Sequence, residues 1–267
     1  MKSVIKIISE LIRNANLMIR LAFYDIKSQY TMHHLGILWQ FLNPAIQITV
    51  FWLIFGIGFR SGQPVNGFNF FPWFIVGIIP WFFINPSIIQ GSNSVFKEIK
   101  LVSKMKFPIS ILPAKSIVGN AFNFLILLII MVVILYTNGI RPSIYLLQLP
   151  YYVFAMLLFI YATTLLFSTF STMVRDFQQL LSSSMRMLFY LTPILWDASQ
   201  MPGKLNNLLQ LNPFYYIISG FRDTFLYKEW FFDDVITTLY FWFVTLILLY
   251  VGSKIHLKFR GKFVDYL

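Results

Sequence analysis

Ile109–Tyr136 reads ISILPAKSIVGNAFNFLILLIIMVVILY and carries one charge, at Lys115. About 20 mostly apolar residues are enough for a helix to cross the hydrocarbon core of a bilayer. A stretch this long and this apolar therefore predicts a membrane-spanning helix. Other stretches share its character, and the sequence predicts six spans in all: Leu38–Phe59, Phe70–Ile89, Ile109–Tyr136, Ile144–Phe170, Phe177–Trp196 and Val235–Gly252.

The composition of the whole chain agrees with this prediction. Of its 267 residues, 58% are hydrophobic, 19% are aromatic and 12% are charged, whereas a soluble domain carries roughly 25% charge. Phe occurs 30 times and Cys is absent. These values exclude a soluble α/β enzyme, a disordered chain and a disulfide-built secreted domain. Because apolar and polar residues do not alternate as in barrel strands, we predict an all-α integral membrane protein.

The charges predict how the spans are oriented. The chain has 21 Lys and Arg against 10 Asp and Glu, a net charge of +11. Residues 1–34 and the segment 97–115 hold five basic residues each, and the tail after the sixth span holds four. Six spans place these segments on one side of the membrane. The positive-inside rule then predicts that both termini are cytoplasmic, and the basicity indicates a membrane rather than nucleic acid as the partner.

Two segments are predicted to lie along the membrane rather than across it. In residues 1–34, apolar residues share one helical face, which predicts an amphipathic helix at the cytoplasmic surface; they are Val4, Ile5, Ile8, Leu11, Ile12, Ala15 and Met18. In the connection 197–232, Leu205–Leu211 and Pro213–Tyr227 are apolar but short. They predict two re-entrant helices that enter from the outer face. An ordinary extracellular loop is the alternative.

The sequence offers little catalytic chemistry. It contains no G-x-x-x-x-G-K-[ST] phosphate loop, no H-E-x-x-H and no nucleophile elbow. His33 and His34 have no carboxylate three or four residues away, so no metal site is predicted. Asp233 and Asp234 fit the start of the sixth span, where carboxylates favour a helix N-terminus. We predict no catalytic residue, and a polytopic membrane transferase is the alternative from another functional class.

Polar and aromatic residues of the first span are candidates for a substrate path. Gln40, Asn43 and Gln47 recur on one helical face. Amides at membrane depth face protein or water, so this face either lines a path or joins two helices. Aromatic faces can stack on sugar rings, although most aromatics in membrane proteins form interfacial belts or packing. The aromatic candidates are Trp39, Trp52, Phe55 and Phe59.

Arg186 lies near the middle of the predicted fifth span. An arginine facing lipid at that depth costs at least about 2.5–3.5 kcal/mol. It is therefore predicted to face an aqueous path or a partner subunit, or to extend towards the cytoplasm. In a path, its guanidinium can guide an anionic substrate. The alternative is that the fifth span begins nearer Met185, which leaves Arg186 at the membrane interface.

Short motifs along the chain resemble the ABC-2 polysaccharide and teichoic acid export permeases. In order they are Leu35–Trp39, Asn43–Pro44, Lys104–Pro108, Leu112–Pro113, Val174–Asp176, Thr192–Trp196, Leu211–Pro213, Phe221–Asp223 and Phe263–Leu267. Within them, the positions that carry the resemblance are Gly36, Pro44, Pro108, Pro113, Arg175, Asp176, Pro193, Asn212, Pro213 and Arg222. Arg175–Gln179 and Leu191–Asp197 look closest to the teichoic acid translocation permeases of Gram-positive bacteria, although O-antigen exporters share most of the pattern.

The resemblance implies a homodimer in a bacterial cell membrane, with residues 35–267 of each subunit forming one six-span domain. It implies two separate ABC ATP-binding subunits, which bind ATP and Mg, and no cofactor on this chain. The implied substrate is a polymer on a polyprenyl diphosphate carrier, moved from the cytoplasm to the outer face. Wall teichoic acid is the first expectation, and O-antigen or another polysaccharide is the alternative.

By the same resemblance, residues 94–107 hold the coupling helix that enters a groove of the ATP-binding subunit. Phe96, Ile99 and Val102 are spaced i, i+3 and i+6, which suits helix-in-groove binding, and Lys100 adds a positive charge. A plain positive-inside loop is the alternative.

Overall fold

The computed structural model describes residues 2–31, 36–59, 61–104, 108–174, 176–198 and 201–266; residues 29–31, 37, 100–104, 207 and 264–266 are described by their backbone alone. All regular secondary structure in these ranges is helical, as predicted. They are α1 (Lys2–Arg13), α2 (Ala15–Thr31), a 3₁₀ turn (Gly36–Leu38), α3 (Trp39–Phe51) with a π-helical continuation (Trp52–Phe59), α4 (Phe70–Lys104), α5 (Ile111–Thr137), a 3₁₀ turn (Ile144–Gln148), α6 (Leu149–Met173), α7 (Phe177–Leu191), α8 (Gly203–Gln210), α9 (Pro213–Arg222) with a π-helical continuation (Asp223–Tyr227), α10 (Val235–Phe259) and a 3₁₀ segment (Arg260–Tyr266).

Five segments of the described chain are long and apolar enough to cross a membrane. They are Trp39–Phe59, Phe70–Ile99, Ile111–Thr137, Ile144–Met173 and Val235–Phe263. Each overlaps one of the six predicted spans, so five of those predictions are confirmed as helices of sufficient length and hydropathy. The count of six stays a prediction.

The predicted fifth span, Phe177–Trp196, is shorter than expected. Helix α7 has 15 residues and ends at Leu191. At 1.5 Å per residue it covers about 22 Å, less than the roughly 30 Å of the hydrocarbon core. It ends because Thr192 precedes a proline, which disfavours the helical conformation, and Thr192 is extended, with φ −85° and ψ 135°. By length, α7 alone does not cross.

Nevertheless, the end of α6 and the start of α10 lie at opposite ends of the bundle. These two helices run parallel, because their starts meet and their ends meet. Near the starts, Gln148 Nε2 donates to the carbonyl oxygen of Glu229 at 2.7 Å. Near the ends, Thr169 Oγ1 lies 3.1 Å from His256 Nδ1. The intervening residues must therefore return from one end of the bundle to the other.

Helices α7 and α9 provide that return in two steps along α4. Gln178, at the start of α7, donates to the carbonyl oxygen of Ile89 at 2.9 Å, and Phe189, near its end, lies 5.7 Å from the Trp81 ring. Phe214, at the start of α9, lies 5.5 Å from the same tryptophan. Both short helices predicted for the connection 197–232 are thus present, as α8 and α9. Their re-entrant position in a membrane stays a prediction.

Helix α4 lies at the centre of the bundle and α3 at its edge. In the most apolar 18-residue stretch of Phe70–Ile99, 78% of the residues are buried, against 6% in that of Trp39–Phe59. Helices α5, α6, α7 and α9 pack on α4, whereas α3 rests on α4 along one side. The single chain therefore covers one side of the first span and leaves the other side exposed.

The N-terminal segment is two helices rather than the single predicted one, with the break at Asn14. Helix α1 buries Ile7 and leaves Ile5 and Ile12 exposed. Glu10 accepts hydrogen bonds from Arg260 Nη1 and Ser110 Oγ, both at 2.8 Å. Although partial burial raises it, these bonds hold the pKa of Glu10 below its usual value. Only part of the apolar surface of α1 therefore packs against the protein, and the predicted residues Ile5 and Ile12 remain exposed.

The contacts of Glu10 also place the N-terminal and C-terminal segments at one end of the bundle. We call it the basic end, the end where α1, the start of α5 and the end of α10 meet. The acidic end is the opposite one, where α6 and α10 begin and which carries Asp223, Glu229, Asp233 and Asp234. That the basic end faces the cytoplasm stays a prediction.

Candidate functional site

A cavity of about 210 Å³ lies between α3, α4 and α7. Its polar lining is Gln47, Asn85 and Arg186, one residue from each helix. The rest of the lining is Phe51, Trp81, Phe82, Met185, Phe189 and Tyr190. Gln47 and Asn85 are close to the midpoints of their spans, so we call this cavity the mid-depth pocket.

Arg186 is exposed in the single chain at this depth. Its Nη2 donates to Ser183 Oγ at 3.0 Å, on the same helix. Arg186 shares this pocket with Asn85, and its two predicted positions, in a path and at the membrane interface, both stay predictions. Facing lipid there costs at least about 2.5–3.5 kcal/mol. This face of the chain therefore needs water or more protein against it.

The other predicted path residues are divided between two sides of α3. Asn43 is exposed, as Gln47 is. The side-chain amide atoms of Gln40 are buried and have no hydrogen-bond partner among the described residues. Trp52 lines a different, mainly apolar cavity of about 690 Å³ between α3, α4 and α5.

The other three aromatic candidates, Trp39, Phe55 and Phe59, do not line the mid-depth pocket either. Trp39 and Phe59 stand at opposite ends of the first span and are 38% and 79% exposed. Phe55 stacks on Phe59, with 5.6 Å between ring centroids. The structure thus brings Gln47 and Arg186 together, adds Asn85, which the sequence did not single out, and spreads the aromatic set along the helix.

Arg222 is buried at the junction of α9, α4 and the turn after α7. Its Nη1 donates to the carbonyl oxygen of Pro193 at 2.6 Å and its Nη2 to that of Ile194 at 3.1 Å. The guanidinium lies 3.6 Å from the centre of the Trp73 ring. Gly77 leaves room for it, because a Cβ there would lie 2.7 Å from Nη2. Burial lowers the pKa of Arg222 to about 10, so it is charged at neutral pH.

Asn212 joins the same two segments. Its Oδ1 accepts from the backbone N–H of Phe214 at 3.1 Å and so caps α9, in which Pro213 is the first residue. Its Nδ2 donates to Thr192 Oγ1 at 2.9 Å. Four of the ten positions that carried the family resemblance therefore belong to this junction: Arg222 bonds to Pro193, and Asn212, which precedes Pro213 at the start of α9, bonds to Thr192.

Of the remaining positions of the resemblance, Gly36, Pro108, Pro113 and Asp176 lie at or near helix boundaries. Gly36 has φ +48°, a left-handed conformation that favours glycine. Pro44 lies inside α3, and Pro108 and Pro113 lie just before and just inside the start of α5. Asp176 is the residue before α7. Arg175 lies outside the described residues.

A second polar cavity, of about 450 Å³, opens at the acidic end between α6, α9 and α10. Burial raises the pKa of Asp223 to about 7, and the charge of Glu229 adds to the rise. Asp234 caps α10, its Oδ1 accepting from the backbone N–H of Thr237 at 3.1 Å, which confirms the interpretation of that residue as a helix start. Across the described part of the chain, no three His, Cys, Asp or Glu side chains are grouped as metal ligands.

At the basic end, the predicted coupling residues do not share one exposed face. Phe96 is 41% exposed, whereas Ile99 is buried at 3% in a small cluster with Val95, Ile109, Leu112 and Phe263. The side chains of Lys100 and Val102 lie outside the described residues. Of the predicted set, Phe96 is the described residue that a partner can contact.

Comparison with known sequences identifies the family. The model of the ABC-2 type transporter family matches residues 17–226. This chain belongs to the ABC-2 type transporter family. With five apolar helices of spanning length, it is a multi-pass membrane protein.

Proteins similar to this ABC-2 chain match it along most of its length. An O-antigen export system permease protein RfbA from Myxococcus xanthus is 28% identical over 264 residues, which cover 98% of this chain and 99% of that protein. Two proteins of the same name from Klebsiella pneumoniae are 28% and 26% identical over 244 residues, 91% of this chain and 92% of each.

Proposed function

We propose that this chain is the membrane subunit of an ATP-driven exporter that moves a lipid-linked polysaccharide from the cytoplasmic to the outer face of a bacterial cell membrane. Membership of the ABC-2 family supports the transport class. The names of the similar proteins favour an O-antigen-type polysaccharide. They favour this alternative over our first expectation, wall teichoic acid, which none of them supports.

The observation that carries the proposal is the uncovered polar face around the mid-depth pocket. Gln47 and Arg186 line the pocket and are exposed, Asn43 is exposed one turn before Gln47, and one side of the first span is uncovered in the single chain. Amides and a guanidinium are unfavourable against lipid. A second copy of the chain, facing the first across these residues, shields them from lipid and leaves a polar path between the subunits. A homodimer with a central path thus accounts for the face.

The energy source in this proposal is a pair of ABC ATP-binding subunits at the basic end, since the chain has no phosphate loop of its own. Those subunits bind ATP and Mg, and this chain makes no bond change. Phe96 and the adjoining end of α4 form the docking region. The polymer arrives on a polyprenyl diphosphate carrier, and the positive charges of the basic end attract its anionic groups. Both termini then lie in the cytoplasm.

A reconstituted system tests the function directly. Vesicles containing this chain, its ATP-binding subunit and a polyprenyl diphosphate-linked polysaccharide are supplied with ATP on the side of that subunit. We expect the polymer to become accessible to a lectin on the opposite side, and this to stop when the partner's ATPase is inactivated. Parallel vesicles with a polyol-phosphate polymer separate O-antigen-type from teichoic acid substrates. A new covalent product formed by this chain alone would instead indicate a transferase.

Removing the charge of Arg186 is expected to reduce export without unfolding the protein. Arg186→Gln is expected to lower the export rate by about tenfold, which corresponds to the loss of roughly one charge-assisted hydrogen bond to an anionic group of the substrate. Arg141→Gln is the matched control, because Arg141 is also exposed but lies in the connection after α5. Equal export by both variants, at equal expression, would assign Arg186 a structural role only.

A further inference from the structure

Lys115 is a nearly buried lysine held between carboxylates from two other helices. Its side chain is 5% exposed, and it lies near the start of α5. Its Nζ is 2.7 Å from Asp25 Oδ2 on α2 and 2.6 Å from Glu98 Oε1 on α4. A buried ammonium is stable only when it is paired and hydrogen-bonded. This three-helix ion cluster, Asp25–Lys115–Glu98, therefore holds α2, α4 and α5 in a fixed relation.

The cluster lies next to the region proposed to dock the ATP-binding subunit. Glu98 follows Phe96 by two residues on the same helix, and Phe96 is 41% exposed. Helix α2 also packs on α5 through apolar contacts, such as the edge-to-face pair of Phe23 and Phe122, 6.1 Å apart. Apolar contacts of this kind permit sliding, whereas two ion pairs at hydrogen-bond distance fix both distance and direction. Asp25 thus gives α2 a directional connection to the end of α4.

We propose that Asp25 and Lys115 are positioning residues for transport, which tie the N-terminal helix α2 to the end of α4 that faces the ATP-binding subunit. When that subunit displaces the end of α4, Lys115 carries α2 and the start of α5 with it. The ATP-driven movement then reaches the membrane surface and the third span together. This inference rests on the proposed function.

A second ion pair at the same end serves as the comparison. Glu10 of α1 pairs with Arg260 at 2.8 Å and accepts from Ser110. It is also a partly buried ion pair that holds the N-terminal segment, but its side-chain partners are Arg260 and Ser110, neither of which belongs to α4. Loss of the Glu10 pair should loosen α1 without separating α2 from α4.

The experiment uses the complete complex and measures polymer exported per ATP hydrolysed. Asp25→Ala is chosen because Asp25 is 51% exposed and its removal leaves the Lys115–Glu98 pair in place, so the chain still folds. We expect ATP hydrolysis within about twofold of the unsubstituted complex and an export-to-hydrolysis ratio lowered by about tenfold, a typical size for coupling between sites. Asp25→Glu should restore the ratio, and Glu10→Ala should leave it near its original value.

A second measurement needs no export. The chain has no Cys, so spin labels at Tyr24→Cys on α2 and Lys97→Cys on α4, both exposed positions, report one distance. We expect a narrow distribution of distances between the two labels, with or without a non-hydrolysable ATP analogue. Asp25→Ala should broaden this distribution, and Glu10→Ala should not. A distribution that stays narrow in Asp25→Ala would overturn the inference. So would an unchanged export ratio in Asp25→Ala, or an equal loss in Glu10→Ala. Failure of the unsubstituted complex to export would contradict the proposed function, and the distance measurement would still decide the inference.

Discussion

Arg222→Met is expected to remove most of the folded protein from the membrane. The substitution leaves the buried carbonyl oxygens of Pro193 and Ile194 without their donors and removes the guanidinium from the face of Trp73. Each buried polar group left without a partner costs about 1–3 kcal/mol, and a desolvated cation–π contact contributes about 2 kcal/mol. A total of roughly 4–8 kcal/mol is a large part of the about 5–15 kcal/mol that separates folded from unfolded domains.

The yield and melting temperature of purified chain in detergent measure this effect. Arg222→Lys retains the charge, but a single ammonium does not reproduce the planar fork that reaches two carbonyls while stacking on a ring. We therefore expect an intermediate melting temperature for it. Arg141→Met, at an exposed arginine, is the control and should melt as the unsubstituted protein does. Normal yield and melting of Arg222→Met would show that the junction is held by its apolar contacts instead.

Gly220→Ala is expected to be the most disruptive single-methyl change in α9. A Cβ at Gly220 would overlap the ring of Tyr152. That ring is 2% exposed and is held between Tyr151 and Tyr216, at centroid distances of 5.2 and 5.6 Å. Because the added methyl forces either the ring or α9 to move, we expect a loss of about 3 kcal/mol, at the upper end of ordinary overpacking.

The chain provides a matched control for this change. Gly119 lies inside α5 and has no atom within 4 Å of its ideal Cβ position. Gly119→Ala should therefore raise stability by about 0.5–1 kcal/mol through the higher helix propensity of alanine. Thermal unfolding of both variants measures the contrast, and Tyr152→Leu combined with Gly220→Ala should recover part of the loss. Equal melting temperatures for Gly119→Ala and Gly220→Ala would contradict the close packing of α9 against α6.

The spans were predictable because their signal is local. The third predicted span, Ile109–Tyr136, corresponds to α5, Ile111–Thr137, since length and apolar character are all that a crossing helix requires. The fifth span was predicted too long for a physical reason. Hydropathy continues through Ile194, Leu195 and Trp196, but Thr192-Pro193 ends the helix. Ile194 and Leu195 are instead buried against the bundle.

The site was only partly predictable. Gln47 and Arg186 stood out because amides and charges are unusual within apolar segments, and the structure places both around one cavity with Asn85. Ile99 matched a docking pattern by spacing, but it is buried, because the turn before α5 and the C-terminal segment cover that side of α4. Spacing along one helix indicates which residues share a face, and it contains no information on what covers that face.

The sequence by itself determined that this protein is an all-helical membrane protein and, through short ordered motifs, that it resembles the export permeases of its family. Only the tertiary structure decided what two buried charged groups do within the chain: Arg222 holds a turn 29 residues earlier, and Lys115 joins three helices. The physical reason is range. Hydropathy and helix propensity act within a few turns of one segment, whereas a buried charge is satisfied by whichever partners the fold brings within about 3 Å of it.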